Sequence, residues 1–138
     1  MVVVVTQVLT AEMIEAGKEL VRNLDAKGAK ITGALWLLEA EPRAWRLLLA
    51  FKDFDREGPK ALYRKVRNAL VRARSPGAQL ALQDVAAVSD QHPLIRLLSM
   101  VIRTTPSGEG VRFSRNTVNG QYIEDAYIYR MAPLQKAG

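Results

Sequence analysis

One short stretch of the sequence, Lys60 to Arg74, contains six cations and no acid. Guanidinium and ammonium groups in such a run can bind phosphates or carboxylates, arginine as a bidentate fork and lysine as a point charge. The whole chain has a formal net charge of +6, from 20 Lys and Arg against 14 Asp and Glu. The stretch therefore accounts for the entire charge excess, since the other Lys and Arg balance the acids. Its cations are Lys60, Arg64, Lys65, Arg67, Arg72 and Arg74.

The same stretch has two distinct sides when it is placed on a helix of 3.6 residues per turn. One side is aliphatic and suited to burial, and consists of Leu62, Val66, Ala69, Leu70 and Ala73. Gly58-Pro59 is typical of a helix start, and Ser75-Pro76-Gly77 predicts the helix end. The candidate binding face comprises Lys60, Arg64, Lys65, Arg67, Val71, Arg72 and Arg74. A solvated helix face without a partner is the alternative that the pattern leaves open.

His92 is the only histidine, and the chain has no cysteine. A single histidine cannot build a metal site of the usual His-rich kind, and without cysteine there is no thiolate ligand or thiol nucleophile. His92 directly precedes Pro93, a position typical of a helix entry. We therefore expect His92 to have a capping or surface role rather than to act as a general base.

Two pairs of neighbouring carboxylates could in principle bind Mg²⁺, since hard cations take oxygen ligands. They are Asp53 with Asp55, and Glu124 with Asp125. Glu124 and Asp125 are adjacent on a predicted strand, where successive side chains point to opposite faces. Asp53 and Asp55 lie in a charged connector. No glycine-rich phosphate loop and no Ser-His-acid pattern is recognisable, so we expect no cofactor, no metal site and no catalytic residues.

Length and composition favour one globular domain. The chain has 138 residues, of which 49% are hydrophobic and 25% charged, and its pI is about 9.9. No segment approaches the roughly 20 apolar residues of a membrane span, and the start of the chain lacks the features of a signal peptide. We expect a single domain over residues 1–138, with a short strand within residues 1–8 and a loose tail at 134–138. The absence of cysteine fits a cytoplasmic protein.

The first half of the chain predicts one helix and two strands. Thr10 is suited to capping a helix whose apolar stripe ends near Gly28. Residues 31–38 and 45–51 follow as two antiparallel strands on either side of Pro42. Trp36 and Trp45, one on each strand, are expected in the core rather than on a ligand platform.

The segments that flank the basic helix are predicted less directly. Residues 52–57 form a charged connector before it, and residues 79–88 alternate imperfectly, as in a strand. Ser89 or Asp90 is expected to cap the next helix, with Pro93 in its first turn. The predicted buried stripe of that helix is Leu94, Leu97, Leu98 and Val101. Residues 104–110 have the composition of a loop.

The C-terminal part predicts a β-hairpin. Residues 111–118 and 121–130 flank Asn119-Gly120, a pair that favours the positive φ values of a type I′ turn. In the second strand, alternation predicts that Tyr127 and Tyr129 share a face with Ile123. An exposed edge of this hairpin would permit homo-oligomers by strand pairing.

Together these elements predict an α+β domain with a mainly antiparallel sheet and about three helices packed on it. Our leading hypothesis is a small, non-enzymatic accessory protein of bacterial type. It would bind a macromolecule, in the first instance an acidic protein, through the basic helix. Nucleic-acid binding by the same helix is the alternative, and a metal-dependent nuclease or other hydrolase is the second alternative. No membrane association is expected.

Overall fold

In the computed structural model of the protein, β1 (Ile31–Ala40) is the central strand of a single sheet. The structure describes residues 8–41, 43–72, 80–102 and 110–132. The sheet has five strands in the order β3-β2-β1-β5-β4. The other strands are β2 (Arg43–Phe51), β3 (Val85–Ser89), β4 (Val111–Val118) and β5 (Gln121–Met131). The helices are α1 (Ala11–Ala26), α2 (Phe54–Glu57), α3 (Pro59–Arg72) and α4 (Pro93–Val101).

The predicted fold class is confirmed, with one addition to the sheet. Strand β1 is antiparallel to both β2 and β5, and β4 is antiparallel to β5. Strand β3 lies parallel to β2, so the sheet is mixed although mainly antiparallel. A parallel neighbour requires a crossover connection. Helices α2 and α3 lie within that connection, which places the basic helix on one face of the sheet.

Both faces of the sheet are covered. Helices α1 and α3 pack on one face, where Trp36, Trp45 and Phe51 are part of the core. Helix α4 packs on the other face through Leu94 and Leu98. Trp36 is 1% exposed and Trp45 7%, so the prediction that both tryptophans are core residues is confirmed. Strands with two buried faces need apolar residues on both sides, which explains the leucine-rich composition of β1 and β2.

Both ends of helix α1 are stabilised by hydrogen bonds, through a side-chain cap at its start and a backbone motif at its end. The backbone N–H of Met13 donates to Oγ1 of Thr10 (3.1 Å), which confirms the predicted N-cap. At the other end the N–H of Ala29 donates to the carbonyl of Leu24, and Gly28 has a φ of 83°. This is a Schellman motif, in which glycine accepts the left-handed backbone without strain.

A buried hydroxyl connects α1 to the sheet. Tyr129 donates to the backbone carbonyl of Ile14 (2.7 Å) and accepts from Nε1 of Trp36 (2.8 Å). Burial raises the pKa of Tyr129 well above its ordinary value, so the hydroxyl keeps its proton and remains a donor. Gly17 allows this close approach, because a Cβ there would overlap the Tyr129 hydroxyl and lie 3.0 Å from Nε1 of Trp36.

An irregularity in β5 directs two consecutive side chains toward α1. Ile128 pairs with Leu35 and Arg130 pairs with Ala34, so Tyr129 is an extra residue in the ladder. Such a bulge re-aims side chains next to the extra residue. Tyr129 contacts α1, and Arg130 donates to both carboxylate oxygens of Asp25 at the end of α1 (3.0 and 2.7 Å).

The hairpin turn is confirmed, but one prediction for its second strand is wrong. Asn119 and Gly120 have φ values of 47° and 83°, as a type I′ turn requires. Ile123, predicted on the face of Tyr127 and Tyr129, instead belongs to the cluster under α4. Ile123 shares that cluster with Ala126 and Ile128, so the regular alternation that the prediction assumed is broken in β5 between Ile123 and Ala126.

The elements around α3 differ from the sequence predictions. The charged connector contains the short helix α2, and β3 begins only at Val85 after a 3₁₀ turn at Leu82–Asp84. Thus the strand predicted for residues 79–88 is too long at its start. The 3₁₀ turn is stabilised locally, since Asp84 Oδ2 accepts from the N–H of Ala81 (3.0 Å). Short polar side chains compete in this way with strand formation.

Helix α4 is capped and rotated differently from the prediction. His92, not Ser89 or Asp90, is the N-cap, and Pro93 begins the helix as expected. The buried residues are Leu94, Ile95, Leu98 and Ser99. Val101, predicted to be buried, is 49% exposed. This helix is apolar on several sides, so its own spacing did not determine which side faces the sheet.

Several predictions fall outside the described residues. They are the strand within residues 1–8 (apart from Val8), the stop at 75–77, the loop at 104–109 and the tail at 134–138. In the described part of the chain, none of the helices is both long enough and apolar enough to cross a membrane.

Candidate functional site

The basic helix α3 is positioned by its aliphatic side. Leu62, Val66 and Ala69 are 1%, 0% and 4% exposed, as their spacing predicts. Gly58, with a φ of 84°, turns the chain into Pro59 at the start of the helix. Because these contacts are apolar, none of the helix's charges is needed to hold it against the sheet.

Tyr63 adds a polar contact at the edge of the sheet. Its hydroxyl accepts from the backbone N–H of Ala87 in β3 (3.0 Å). Strand β3 is an edge strand, and its outward-facing amides would otherwise be open to pairing with another chain. The contact therefore fixes the rotation of α3 and protects this edge.

The solvent side of α3 has a line of three cations and one valine that we call the outer stripe. It consists of Lys60, Arg64, Arg67 and Val71, all exposed. At 1.5 Å per residue the stripe is about 16 Å long. Val71, in line with the cations, is 81% exposed, more than any other large hydrophobic residue that the structure describes. The predicted orientation of these side chains agrees with their exposure, while Arg74 lies outside the described residues.

Most of the cations of α3 are not neutralised by acids of the same subunit. Lys65 pairs with Glu57 of α2, an ion pair that the sequence did not reveal. Within the described residues, no acid forms an ion pair with Lys60, Arg64, Arg67 or Arg72. The stripe therefore has a concentrated positive field that is available to a partner.

A cleft of about 340 Å³ lies beside the outer stripe, between α1 and α3. We call it the α1–α3 cleft. Its walls are Asn23 and Ala26 of α1 with Lys27 at the C-cap of that helix, and Lys65, Asn68, Ala69 and Arg72 of α3. These positions share one side of each helix, since residues three, four and seven apart are neighbours on a helix surface. The cleft thus combines three cations and two amides over a floor of alanines, with no acid among its described lining residues.

Sequence reasoning assigned Lys65 and Arg72 to the binding face but missed the cleft. Lys27, Asn23 and Asn68 gave no sign of function, because each is an ordinary polar residue on a helix surface. Only the packing of α1 beside α3 brings them together. The sequence shows that Lys65, Asn68 and Arg72 share one side of α3, but it does not show that α1 lies next to that side.

A second cleft, of about 320 Å³, lies at the beginning of α4 and between the ends of the strands. Its lining includes Arg43, Glu39 and Glu124. The guanidinium of Arg43 is 3.6 Å from Glu124, and Glu39 pairs with Arg46 (3.3 Å). Because these charges are paired with one another, this cleft has no comparable excess of either sign.

Most of the candidate catalytic groups of the sequence are engaged in local structure, whereas Asp55 is exposed. The Nδ1 of His92 accepts from the N–H of Leu94 (3.2 Å), so its predicted capping role is confirmed. Asp53 pairs with Arg56 (3.0 Å) in α2. Within the described residues, no three His, Cys, Asp or Glu side chains lie close enough together to hold a metal ion.

Asp125 is held by the facing strand of the hairpin. Nε of Arg112 donates to it (2.7 Å), as does the hydroxyl of Ser114 (2.6 Å). The hydrogen bond from Arg112 holds the pKa of Asp125 below its usual range, against the opposing effect of burial. The same guanidinium lies 5.5 Å from the ring centre of Trp45. This cation therefore has a structural role, unlike those of the outer stripe.

Comparison with known proteins assigns no family to the chain. No protein-family model matches it, and neither the curated proteins nor the solved structures include a significant match.

Proposed function

We propose that this protein is a non-enzymatic accessory protein that binds an acidic protein through the outer stripe of α3. The observation that carries the proposal is the absence of acid partners for Lys60, Arg64 and Arg67 within the described residues, on a helix docked by aliphatic packing and one tyrosine hydrogen bond. Charges without ion-pair partners on a rigid helix can contact an acidic surface without breaking an internal ion pair. They also speed the encounter with it.

The composition of the stripe favours a protein over a nucleic acid. Val71 is 81% exposed among the cations, and an aliphatic side chain gains most by packing against apolar atoms of a partner. Proteins that bind single strands usually stack bases on aromatic side chains. The only aromatic residue of α3, Tyr63, has its hydroxyl engaged with β3 and is only partly exposed.

The proposal is tested by binding of a fluorescent Glu-rich helical peptide, compared with duplex DNA and single-stranded RNA of similar length. We expect the peptide to bind with an affinity that falls as salt rises. Reversing two charges of the stripe, Arg64→Glu with Arg67→Glu, should weaken peptide binding by about ten-fold or more. Thermal unfolding should be almost unchanged, since both side chains are exposed.

The matched control is Lys52→Glu with Arg96→Glu, which changes the net charge by the same amount at exposed sites outside α3. We expect this variant to retain most of the peptide affinity. Equal losses in the two double variants would show that only net charge matters, and would contradict the proposal. Tighter, stripe-dependent binding of DNA or RNA would replace it with nucleic-acid binding. Capture from a native lysate, with mass spectrometry at low and high salt, then identifies the physiological partner.

Compartment and self-association are further parts of the proposal. A cytoplasmic location is supported by the absence of cysteine from the chain. Pairing between two copies would use the open edge of β4, because Tyr63 covers part of the β3 edge. The positive φ of Arg115 (48°), in the middle of β4, would disfavour regular pairing at that position.

A further inference from the structure

The geometry points to the α1–α3 cleft as a binding site for a phosphate monoester. The cleft contains Lys27, Lys65 and Arg72, together with the side-chain amides of Asn23 and Asn68. A phosphate monoester has close to two negative charges at neutral pH and three strong acceptor oxygens. Guanidinium, ammonium and amide groups are the donors that such oxygens need.

The dimensions and the lining suit a group of this size. A cavity of about 340 Å³ lies at the small end of the range for ligand sites in proteins. Ala26 and Ala69 form a low floor, which leaves room between the longer polar side chains. The cations come from both helices, so a bound phosphate would be contacted from two sides.

The charge of the cleft also favours a dianion over a monoanion. Of its three cations, Lys65 already pairs with Glu57, whereas Lys27 and Arg72 form no ion pair within the described residues. The cleft therefore keeps the charges of these two cations for an incoming anion. A phosphate monoester balances that charge, whereas a single carboxylate balances only half of it.

Glu57 is a built-in competitor for this site. Its carboxylate pairs with Lys65, which also lines the cleft. An incoming phosphate must therefore share Lys65 or displace Glu57. It follows that removing the charge of Glu57 should strengthen phosphate binding, an effect that a purely structural ion pair would not produce.

The inference deepens the proposed function and rests on it only for the kind of molecule that bears the phosphate. The cleft adjoins the outer stripe, so an acidic protein docked on the stripe could place a phosphorylated side chain in the cleft. A small phosphate ester would use the same groups.

The test is a titration of the full chain with phenyl phosphate at constant ionic strength, followed by the ¹H–¹⁵N signals of the Asn23 and Asn68 side-chain amides. We expect saturable shifts of these signals that chloride does not produce. Asn68→Asp, which places a negative charge in the cleft, should weaken the apparent affinity by about ten-fold. Glu57→Gln should strengthen it by about three-fold.

The matched control is Asn116→Asp, the same chemical change at an exposed position of β4. We expect its phosphate affinity to equal that of the wild type. Shifts that chloride reproduces, or equal effects of the two aspartate variants, would overturn the inference.

A second arm identifies the source of the phosphate. A Glu-rich peptide that contains phosphoserine is compared with its unphosphorylated form and with phenyl phosphate. If phosphorylation strengthens peptide binding in the wild type but not in Asn68→Asp, the phosphate belongs to a protein. If phenyl phosphate binds the cleft and peptide phosphorylation adds nothing, the source is a small phosphate ester.

The outcomes separate this inference from the proposed function. Arg64→Glu with Arg67→Glu should weaken peptide docking by about ten-fold or more, while phenyl phosphate still shifts the cleft amides. Phosphate binding that survives without any stripe-dependent peptide binding would contradict the proposed function alone. Stripe-dependent peptide binding without phosphate shifts would contradict the cleft alone.

Discussion

Helices α1 and α3 lie side by side on the same face of the sheet, yet they use their charges differently. Helix α1 has four acids and two cations, whereas α3 has five cations and no acid. Helix α1 adds polar contacts to its buried apolar stripe, through the Tyr129 hydroxyl and the Arg130–Asp25 pair. Helix α3 is fastened mainly by aliphatic packing, with one hydrogen bond through Tyr63.

This difference shows that the number of charges on a helix says less about their role than whether those charges have partners within the fold. Arg130 and Arg112 are satisfied by Asp25 and Asp125, so each contributes to the stability of the fold. Arg64 and Arg67 have no such partner among the described residues. Charges that stability does not require are available for an intermolecular contact, and the following predictions test that distinction.

The largest effect is expected where α1 approaches the sheet most closely. Gly17→Ala should destabilise the protein by about 2–3 kcal/mol, because the added methyl overlaps the Tyr129 hydroxyl. Helix propensity alone predicts a gain of about 1 kcal/mol, so the sign is diagnostic. Urea unfolding measures the change. In the control Gly28→Ala, only the positive φ of 83° is strained and no atom is overlapped, so about 1 kcal/mol is expected.

A smaller loss is expected for the ion pair that anchors the end of α1. Arg130→Ala removes two hydrogen bonds to Asp25 and one to the carbonyl of Ile31 (3.2 Å). The pair is partly exposed, so we expect a destabilisation of about 1–2 kcal/mol. A double-mutant cycle with Asp25→Ala isolates the coupling. Coupling indistinguishable from zero would mean that this ion pair does not help to fasten α1 to the sheet.

A weaker and pH-dependent effect is expected for the hairpin pair. Since the pKa of Asp125 is lowered in the folded protein, its contribution is present above the unfolded pKa of about 3.9. That contribution is lost as the pH falls through the folded pKa. Stability of the wild type should therefore decrease below pH 4 by more than that of Asp125→Asn, with a difference of under about 1 kcal/mol. Urea midpoints at pH 6 and pH 3 provide the comparison.

The smallest effect on stability is expected for the outer stripe. Arg64→Ala and Arg67→Ala should each change the free energy of unfolding by less than about 0.5 kcal/mol, because neither side chain is buried or paired within the described residues. The change in the free energy of unfolding is measured from the melting temperature and from the urea midpoint. A loss comparable to that of Arg130→Ala would remove the distinction between structural and available cations.

Much of the fold was predictable because several of its elements depend on local interactions. Thr10 caps α1 through its own hydroxyl, and Asn119-Gly120 adopts the positive φ values of its turn without help from distant residues. The two sides of α3 follow from spacing alone, since Leu62 and Val66 can be buried together only if Arg64 and Arg67 face outward.

The incorrect predictions concern positions where more than one arrangement was locally acceptable. Helix α4 has apolar residues on several sides, so whether Val101 or Ile95 would face the sheet depended on the surface that the sheet offered. The strand predicted to begin at residue 79 was shortened by the 3₁₀ turn that Asp84 stabilises. Ile123 joins Ala126 and Ile128 in the cluster under α4, so the regular alternation on which its prediction rested does not hold in β5.

The sequence by itself determined the class of the fold, the amphipathic basic helix and the cations that this helix directs to solvent. These follow from periodicity and capping, which act over a few residues. Only the tertiary structure decided which cations have partners and which surfaces adjoin. Glu57 reaches Lys65 across the start of α3, and α1 brings Asn23 and Lys27 to the side of Asn68 and Arg72. Such contacts depend on how helices are placed on the sheet, and no local pattern encodes that placement.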